Sequence, residues 1–441
     1  MAQAIAVDTL IDARWIVPVE PAGQVLHHHS IAIQNGKIVA LLPTAEVHRQ
    51  YSAHRHHTLA DQVLIPGLVN LHTHAAMTLL RGLADDLPLM EWLDQHIWPA
   101  EARHVSPDFV RDGTLLACAE MLRGGITCFN DMYFFPAATA QAALTAKMRA
   151  VIGLIVIEFP TAYASDADDY LSKGLAVRDE LRDEPLLRFT LAPHAPYTVS
   201  DRSFEKVLTY AEQLDLPIHI HLHETRDEIE QSLAQYRLRP LERLQNLGLL
   251  GPNLIAVHAV HMNTEEIALL ARQGCHVAHC PVSNLKLASG FAPTVEKFRQ
   301  AVNVGLGTDS AASNNRLDLF QEMRLAALLA KGGSGDAASH NAHYALQMAT
   351  LNGARALGMG GTIGSLLPGK AADIVAVDLS SLETTPCYDP VSHLVYAAGR
   401  EHVSHVWVGG ELLLDERELT TLDTREILAQ AKHWQDKIAG L

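Results

Sequence analysis

The chain has 441 residues, 48% of them hydrophobic and 19% charged, with a formal net charge of −16. A chain of that size buries a large core, and the balance is that of a globular enzyme. The excess of acid argues against nucleic-acid backbone or an anionic membrane surface as a partner. The most apolar run, Val151-Ile152-Gly153-Leu154-Ile155-Val156-Ile157, is far short of the roughly 20 residues that cross a bilayer.

The opening Met1-Ala2-Gln3-Ala4-Ile5 lacks the basic and long apolar regions of a secretory leader. The cysteines, Cys118, Cys128, Cys275, Cys280 and Cys387, form no CxxC pair. Both features point to free thiols in a reducing, cytoplasmic setting. Residues 1–62 alternate in short β-like segments, with Asn35-Gly36 as a hairpin turn between 30–33 and 37–39. Histidines crowd this region at His27, His28 and His29 and at His54, His56 and His57. No second ligand type is spaced with them, so they read as exposed loop.

From 63 to about 360 the pattern becomes strand, loop, helix, repeated. Strands are predicted at 63–74, 126–133, 150–158, 187–195, 217–224, 254–261, 276–284 and 302–310, with amphipathic segments between them at 107–123, 201–214, 226–247 and 264–273. Such β/α units predict a (β/α)8 TIM-type barrel over 63–360, whose active site lies where the strands end. Beyond 361 come β-like segments at 372–377 and 403–410 and a helix over 424–439. The two chain ends, 1–62 and 361–441, are therefore expected to build one small β-sandwich domain.

The polar residues gather at the predicted strand ends. The first barrel strand closes on Leu71-His72-Thr73-His74. Residues two apart on a strand point to the same side, so His72 and His74 form half a metal site, although HxH alone is a weak signal. Strand five brings His219, His221, His223 and Glu224, strand six brings His258 and His261, and strand eight ends in Thr308-Asp309-Ser310. In a barrel these side chains converge on one pocket. His72, His74, one strand-five histidine and Asp309 offer three nitrogens and a carboxylate oxygen, a set that suits Zn²⁺ and can also hold Fe²⁺ or Mn²⁺.

Over essentially its whole length the chain resembles the amidohydrolase superfamily, and within it the branch that deaminates 5′-methylthioadenosine and S-adenosylhomocysteine. The motifs that carry the resemblance are Pro66-Gly67-Leu68-Val69-Asn70-Leu71-His72-Thr73-His74, His221-Leu222-His223-Glu224, Ala256-Val257-His258, Ser283-Asn284-Leu285-Lys286-Leu287, the run 307–315 and the run 364–373. The resemblance implies that the strand-five ligand stands three residues before the catalytic glutamate, which is His221 before Glu224. His219 and His223 are then left to packing or to support of a ligand. It further implies one divalent metal and a purine nucleoside substrate, with metal-activated hydroxide attacking C6. Asp309 would take the water's proton, His258 would stabilise the hydroxide, and Glu224 would protonate N1 and help ammonia leave. By the same likeness Glu101 accepts the two ribose hydroxyls, Trp92 contacts the base or thioether and His194 bonds the purine. Ser313 and Glu224 complete the substrate contacts, and the assembly is a homo-oligomer.

Relatives that take S-adenosylhomocysteine present arginines after strand three. Here Leu154-Ile155-Val156-Ile157-Glu158-Phe159-Pro160 is apolar and acidic, which favours methylthioadenosine unless Arg178 or Arg182 substitutes. The nearest alternative is another deaminase or a dechlorinase of the superfamily acting on guanine, cytosine or a triazine, and a ribose-type Glu101 argues against free bases. Ring-amide hydrolysis at a binuclear site needs a lysine at the end of strand four, and 187–197 has none. The His-x-Glu and Pro-Cys-x-x-Cys signature of cytidine-type deaminases is absent. A binding protein on a retired scaffold would have lost a ligand or the acid, and all are present.

Overall fold

The apolar run that leads to His72 is broken at Gly67 in the computed structural model, which describes residues 4–440. Before the break lie β1 (Ile5–Ile16), β2 (Leu26–Gln34), β3 (Lys37–Pro43) and β4 (Tyr51–Pro66). After it come β5 (Leu68–Thr73), β6 (Ile126–Tyr133), β7 (Arg149–Val156), β8 (Leu187–Pro193), β9 (Ile218–Leu222), β10 (Leu254–His258), β11 (His276–His279) and β12 (Asn303–Leu306). The chain then returns through β13 (Ile374–Asp378), β14 (Val403–Val408), β15 (Glu411–Asp415) and β16 (Glu418–Leu419). The single strand expected over 63–74 is thus two strands in two sheets. Gly67 N–H donates to Asp373 O at 2.9 Å, and a Cβ there would lie 2.0 Å from Thr127 Oγ1, so glycine alone lets the backbone pass.

The terminal sheet runs β16-β15-β14-β13-β4-β1-β2-β3. It draws on both chain ends because the long β4 pairs parallel with β1 and antiparallel with β13. The two layers expected of a sandwich are therefore hydrogen-bonded into one ladder, with Ile11, Ile31, Leu64, Ile374 and Trp407 in a shared core. Each large apolar side chain so buried contributes about 1.5–3 kcal/mol. Asn35 and Gly36 take positive φ at the β2–β3 hairpin, as their sequence demands. The crowded histidines are not in loops. His27, His28 and His29 belong to β2, and His54, His56 and His57 to β4, because ladder pairing is a backbone property that tolerates polar side chains on a solvated face.

The other sheet is parallel in the order β12-β11-β10-β9-β8-β7-β6-β5. Its two ends meet through the Asn70 side chain and one backbone bond: Thr308 N–H donates to Asn70 Oδ1 (2.9 Å), Asn70 Nδ2 to Thr308 Oγ1 (2.8 Å), and Asp309 N–H to His72 O (3.0 Å). This is the eight-stranded β/α barrel expected from the sequence, with shorter strands. Strand seven stops at His279 instead of running to 284, because Pro281 lacks an N–H for the ladder and opens the helix Pro281–Lys286. The segment 226–247 is two helices, Arg226–Tyr236 and Pro240–Asn246, parted where Arg237 turns left-handed at φ 58°.

By compactness the chain falls into two units, one of residues to 69, 120–128 and 318–421, the other of 70–119, 129–317 and 422 onward. The second includes the closing helix Thr424–Ala439, whose Trp434 stacks edge-on against Phe109 and donates to Asp112 Oδ2 at 2.9 Å. No described helix is long and apolar enough to cross a membrane.

Candidate metal centre and active site

His72 and His74 leave β5 on one side, and β9 directs His219 and His221 toward them for the same alternation. His72 Nε2 lies 3.3 Å from His221 Nε2 and 3.3 Å from Asp309 Oδ1, and His74 Nε2 lies 3.4 Å from the same oxygen. A tetrahedron with metal–ligand bonds of about 2.0–2.1 Å has edges of about 3.3–3.4 Å. Three of the six separations among the four candidate ligand atoms therefore already have the length a zinc-sized ion requires, and three nitrogens with one carboxylate oxygen are the donors it prefers.

Each histidine is fixed through its other nitrogen. His74 Nδ1 donates to Met132 O (2.5 Å), His221 Nδ1 to His194 O (2.8 Å), and His72 Nδ1 meets His219 Nε2 (3.0 Å). Asp309 is held by Ser283 and Ser313, whose hydroxyls donate to Oδ2 at 2.5 and 2.8 Å. Burial works against charge on Asp309. The hydrogen bond from His72 and the nearby His74 and His258 outweigh it and hold its carboxyl well below the usual range. Burial lowers His72 to about 3 and drives His221 well below the imidazole range, so both stay uncharged at neutral pH. An ionised carboxylate among uncharged imidazoles is a donor set that could hold a cation.

Glu224 follows β9, and its backbone is pinned: Glu228 Oε1 and Oε2 accept the N–H groups of His223 and Glu224 at 2.8 Å each. Burial raises the Glu224 carboxyl, with His258 opposing and Asp309 adding to the shift. The cavity thus pushes two neighbouring carboxyls in opposite directions, Glu224 up and Asp309 down. His258 ends β10 with Nε2 3.7 Å from Glu224 Oε2 and Nδ1 2.9 Å from Asn284 Oδ1. With that oxygen accepting from Nδ1, Nε2 is left as an acceptor facing the cluster. His223, His258 and Asp309 all take positive φ (54°, 67° and 59°), a backbone cost that recurs where side chains must be aimed. That turn sends His223 away from His221. Its Nδ1 bonds His261 O and its Nε2 accepts Leu241 N–H, while His261 Nε2 bonds Ser289 O.

A cavity of about 690 Å³ opens over these groups, and its wall includes Trp92, Glu101, Tyr133, His194, Phe159 and Ser313. Trp92 donates to Ala84 O and presents its ring, and His194 Nδ1 lies 3.1 Å from Thr198 Oγ1. Glu101 accepts from Tyr133 Oη at 2.6 Å, and burial pushes its carboxyl up to about 7. Ser313 lines the cavity, but its hydroxyl is engaged with Asp309 and Ser310. Among the described lining residues there is no arginine or lysine. Arg178 pairs with Asp179 (2.7 Å) and Arg182 lies 4.0 Å from Asp183, neither on the wall.

Sequence reasoning assigned no role to Tyr133, Ser283, Asn284 or Glu228. Ser283 and Asn284 stood in a quoted motif, yet only the helix begun by Pro281 turns them toward Asp309 and His258. Tyr133 carried no signal beyond its place at a strand end.

A family model described as the amidohydrolase family matches residues 63–413. The chain is 49% identical over 440 residues to a protein of Teredinibacter turnerae named 5-methylthioadenosine/S-adenosylhomocysteine deaminase, covering 100% of both. It is 48% identical over 438 residues to a protein of the same name from Saccharophagus degradans, covering 99% of this chain and 98% of the relative. Among solved structures, an adenosine deaminase from Xanthomonas campestris with bound zinc matches with a TM-score of 0.98 at 51% identity, covering 100% of both chains.

Proposed function

The chain belongs to the amidohydrolase family, and on that premise we propose that it is a metal-dependent deaminase that converts the adenine ring of 5′-methylthioadenosine to hypoxanthine. The observation that carries the reading is the meeting in one cavity of Glu224, whose carboxyl burial raises, and Asp309, whose carboxyl its histidine neighbours lower, beside His72, His74 and His221. Hydrolytic deamination needs an acid for the ring nitrogen and a base for the water, and separated carboxyl pKa values supply both.

His72, His74, His221 and Asp309 would hold the ion, which supplies a water acidified toward neutral pH. Asp309 takes that water's proton as oxygen adds to C6, and His258 Nε2 accepts its hydrogen bond. Glu224 protonates N1, which makes C6 electrophilic. The proton held at Asp309 then passes to the amino group, and the C6–N6 bond breaks as the new C6 hydroxyl gives up its proton through His258 Nε2 to restore Glu224, so that ammonia and the C6=O product depart.

Glu101, beside Tyr133, suits the two ribose hydroxyls, and the apolar wall of Trp92, Ile157 and Phe159 suits an uncharged thioether tail. The absence of a cation on the described wall supports methylthioadenosine over S-adenosylhomocysteine, whose carboxylate would be desolvated there without a partner. The test is steady-state turnover of zinc-loaded enzyme on methylthioadenosine, S-adenosylhomocysteine and adenosine, following ammonia and the ultraviolet change together. Methylthioadenosine is expected to lead in kcat/KM. Equal rates with S-adenosylhomocysteine would sink the tail argument, and no turnover of any would sink the deaminase. Glu224→Gln is expected to keep its metal and lose turnover by at least about 100-fold. Full activity in that variant removes the acid assigned here.

A further inference from the structure

The histidines of the terminal sheet contain a second grouping of metal-ligand type. Asp12 on β1 is 8% exposed, His48 stands on the helix Thr44–Gln50, and His56 on β4. His48 Nε2 and His56 Nε2 approach the same oxygen, Asp12 Oδ2, at 2.9 and 2.7 Å. The other oxygen, Oδ1, accepts from Ser30 Oγ at 2.5 Å. The two rings meet edge to face at 5.0 Å between centroids and keep side-chain exposures of 39% and 44%.

We propose that Asp12, His48 and His56 bind a divalent transition ion of the zinc class at a second site, distinct from the His72 cluster. Two imidazole nitrogens and one carboxylate oxygen select Zn²⁺, Ni²⁺ or Cu²⁺ over Mg²⁺ and Ca²⁺, which want oxygen. Solvent completes the shell, since both rings open to water. The Ser30 hydroxyl aims Oδ2 at the ion, the kind of support that ligating carboxylates receive. Without an ion the two nitrogens donate to Oδ2. With one, each ring moves its proton to Nδ1, which its exposure allows, and backs off by a few tenths of an ångström toward the roughly 3.3 Å edge of a tetrahedral site. The ion would clip together elements 36 and 44 residues from Asp12 in sequence.

The test counts metal and does not depend on the deaminase reading. Zinc-loaded protein is dialysed, analysed by mass spectrometry for bound zinc, and titrated with Zn²⁺ in a calorimeter. The wild type is expected to retain one tight equivalent and take up a second, with a zinc-dependent rise in Tm. His48→Gln and His56→Gln, made separately, are each expected to weaken only the second by roughly tenfold or more. Deaminase activity per tight zinc should not change. A wild type that takes up one equivalent overturns the proposal, as does a second equivalent that persists unweakened in both variants.

Discussion

His72 has two nitrogens with opposed demands. If Nε2 is to hold a cation, Nδ1 must carry the proton, and His219 Nε2, 3.0 Å away, must accept it. His219 then carries its own proton on Nδ1, a buried atom without a hydrogen-bond partner among the described residues. An unsatisfied donor is tolerated because it fixes the tautomer of a ligand. His219→Ala is expected to speed zinc loss to a chelator by roughly 10–100-fold, and an unchanged rate would remove that role. Glu101 carries a pH dependence of its own. Its carboxyl rises from an ordinary 4.5 to about 7 on folding, first through burial and against the hydrogen bond from Tyr133. The folded state therefore holds an extra proton between those values, and the associated stability is complete below 4.5 and lost as pH rises through 7. The same ionisation would create the anion proposed to accept the ribose hydroxyls. KM for the nucleoside is expected to fall between about pH 6 and about pH 8, and to be higher and flat in Glu101→Gln. Matching profiles would detach Glu101 from the sugar.

At the scale of one element, the turn after β9 decides where the acid points. Thr225 caps the helix Arg226–Tyr236 by accepting Glu228 N–H at 3.2 Å, half of a capping box written in the sequence as Thr-x-x-Glu. The Glu228 carboxylate reaches past the cap to the N–H groups of His223 and Glu224. Glu228→Gln keeps the shape but sets an amide NH₂ against one of those donors, leaving it buried and unsatisfied at about 1–3 kcal/mol. The expected result is a lower Tm and a lower kcat with KM nearly retained. A lower Tm with kcat intact would limit Glu228 to stability. The sequence analysis made nothing of this spacing, and the carboxylate's reach is not a local pattern at all, because no sequence rule says which backbone groups lie beyond a cap.

Across the whole molecule, the proposed ligand set joins the end of β5, β9 and the segment after β12, residues that only a closed sheet brings together. An ion that binds the folded chain and not the unfolded one raises stability by mass action. Removing it with a chelator is expected to lower Tm, and zinc should restore it in a concentration-dependent way. A Tm indifferent to complete metal removal would mean the barrel closes through Asn70, Thr308 and backbone alone.

Local patterns along the chain sufficed for the barrel, for a small β domain drawn from both chain ends and for the polar residues at the strand ends. Those follow from period-two apolar runs, helix-period segments and HxH spacing, which are properties of neighbours along the chain. Tertiary structure decided the rest. Gly67 divides one apolar run between two sheets because Thr127 leaves no room for a Cβ, and Pro281 turns a predicted strand into the helix that carries Ser283 and Asn284. Only the fold turned His219 onto His72 while a left-handed backbone swung His223 away, and only the fold set His48 and His56 on one oxygen of Asp12. Alternation predicts the face a side chain takes along a strand, but what meets it across space depends on closure and on backbone turns that no local pattern encodes.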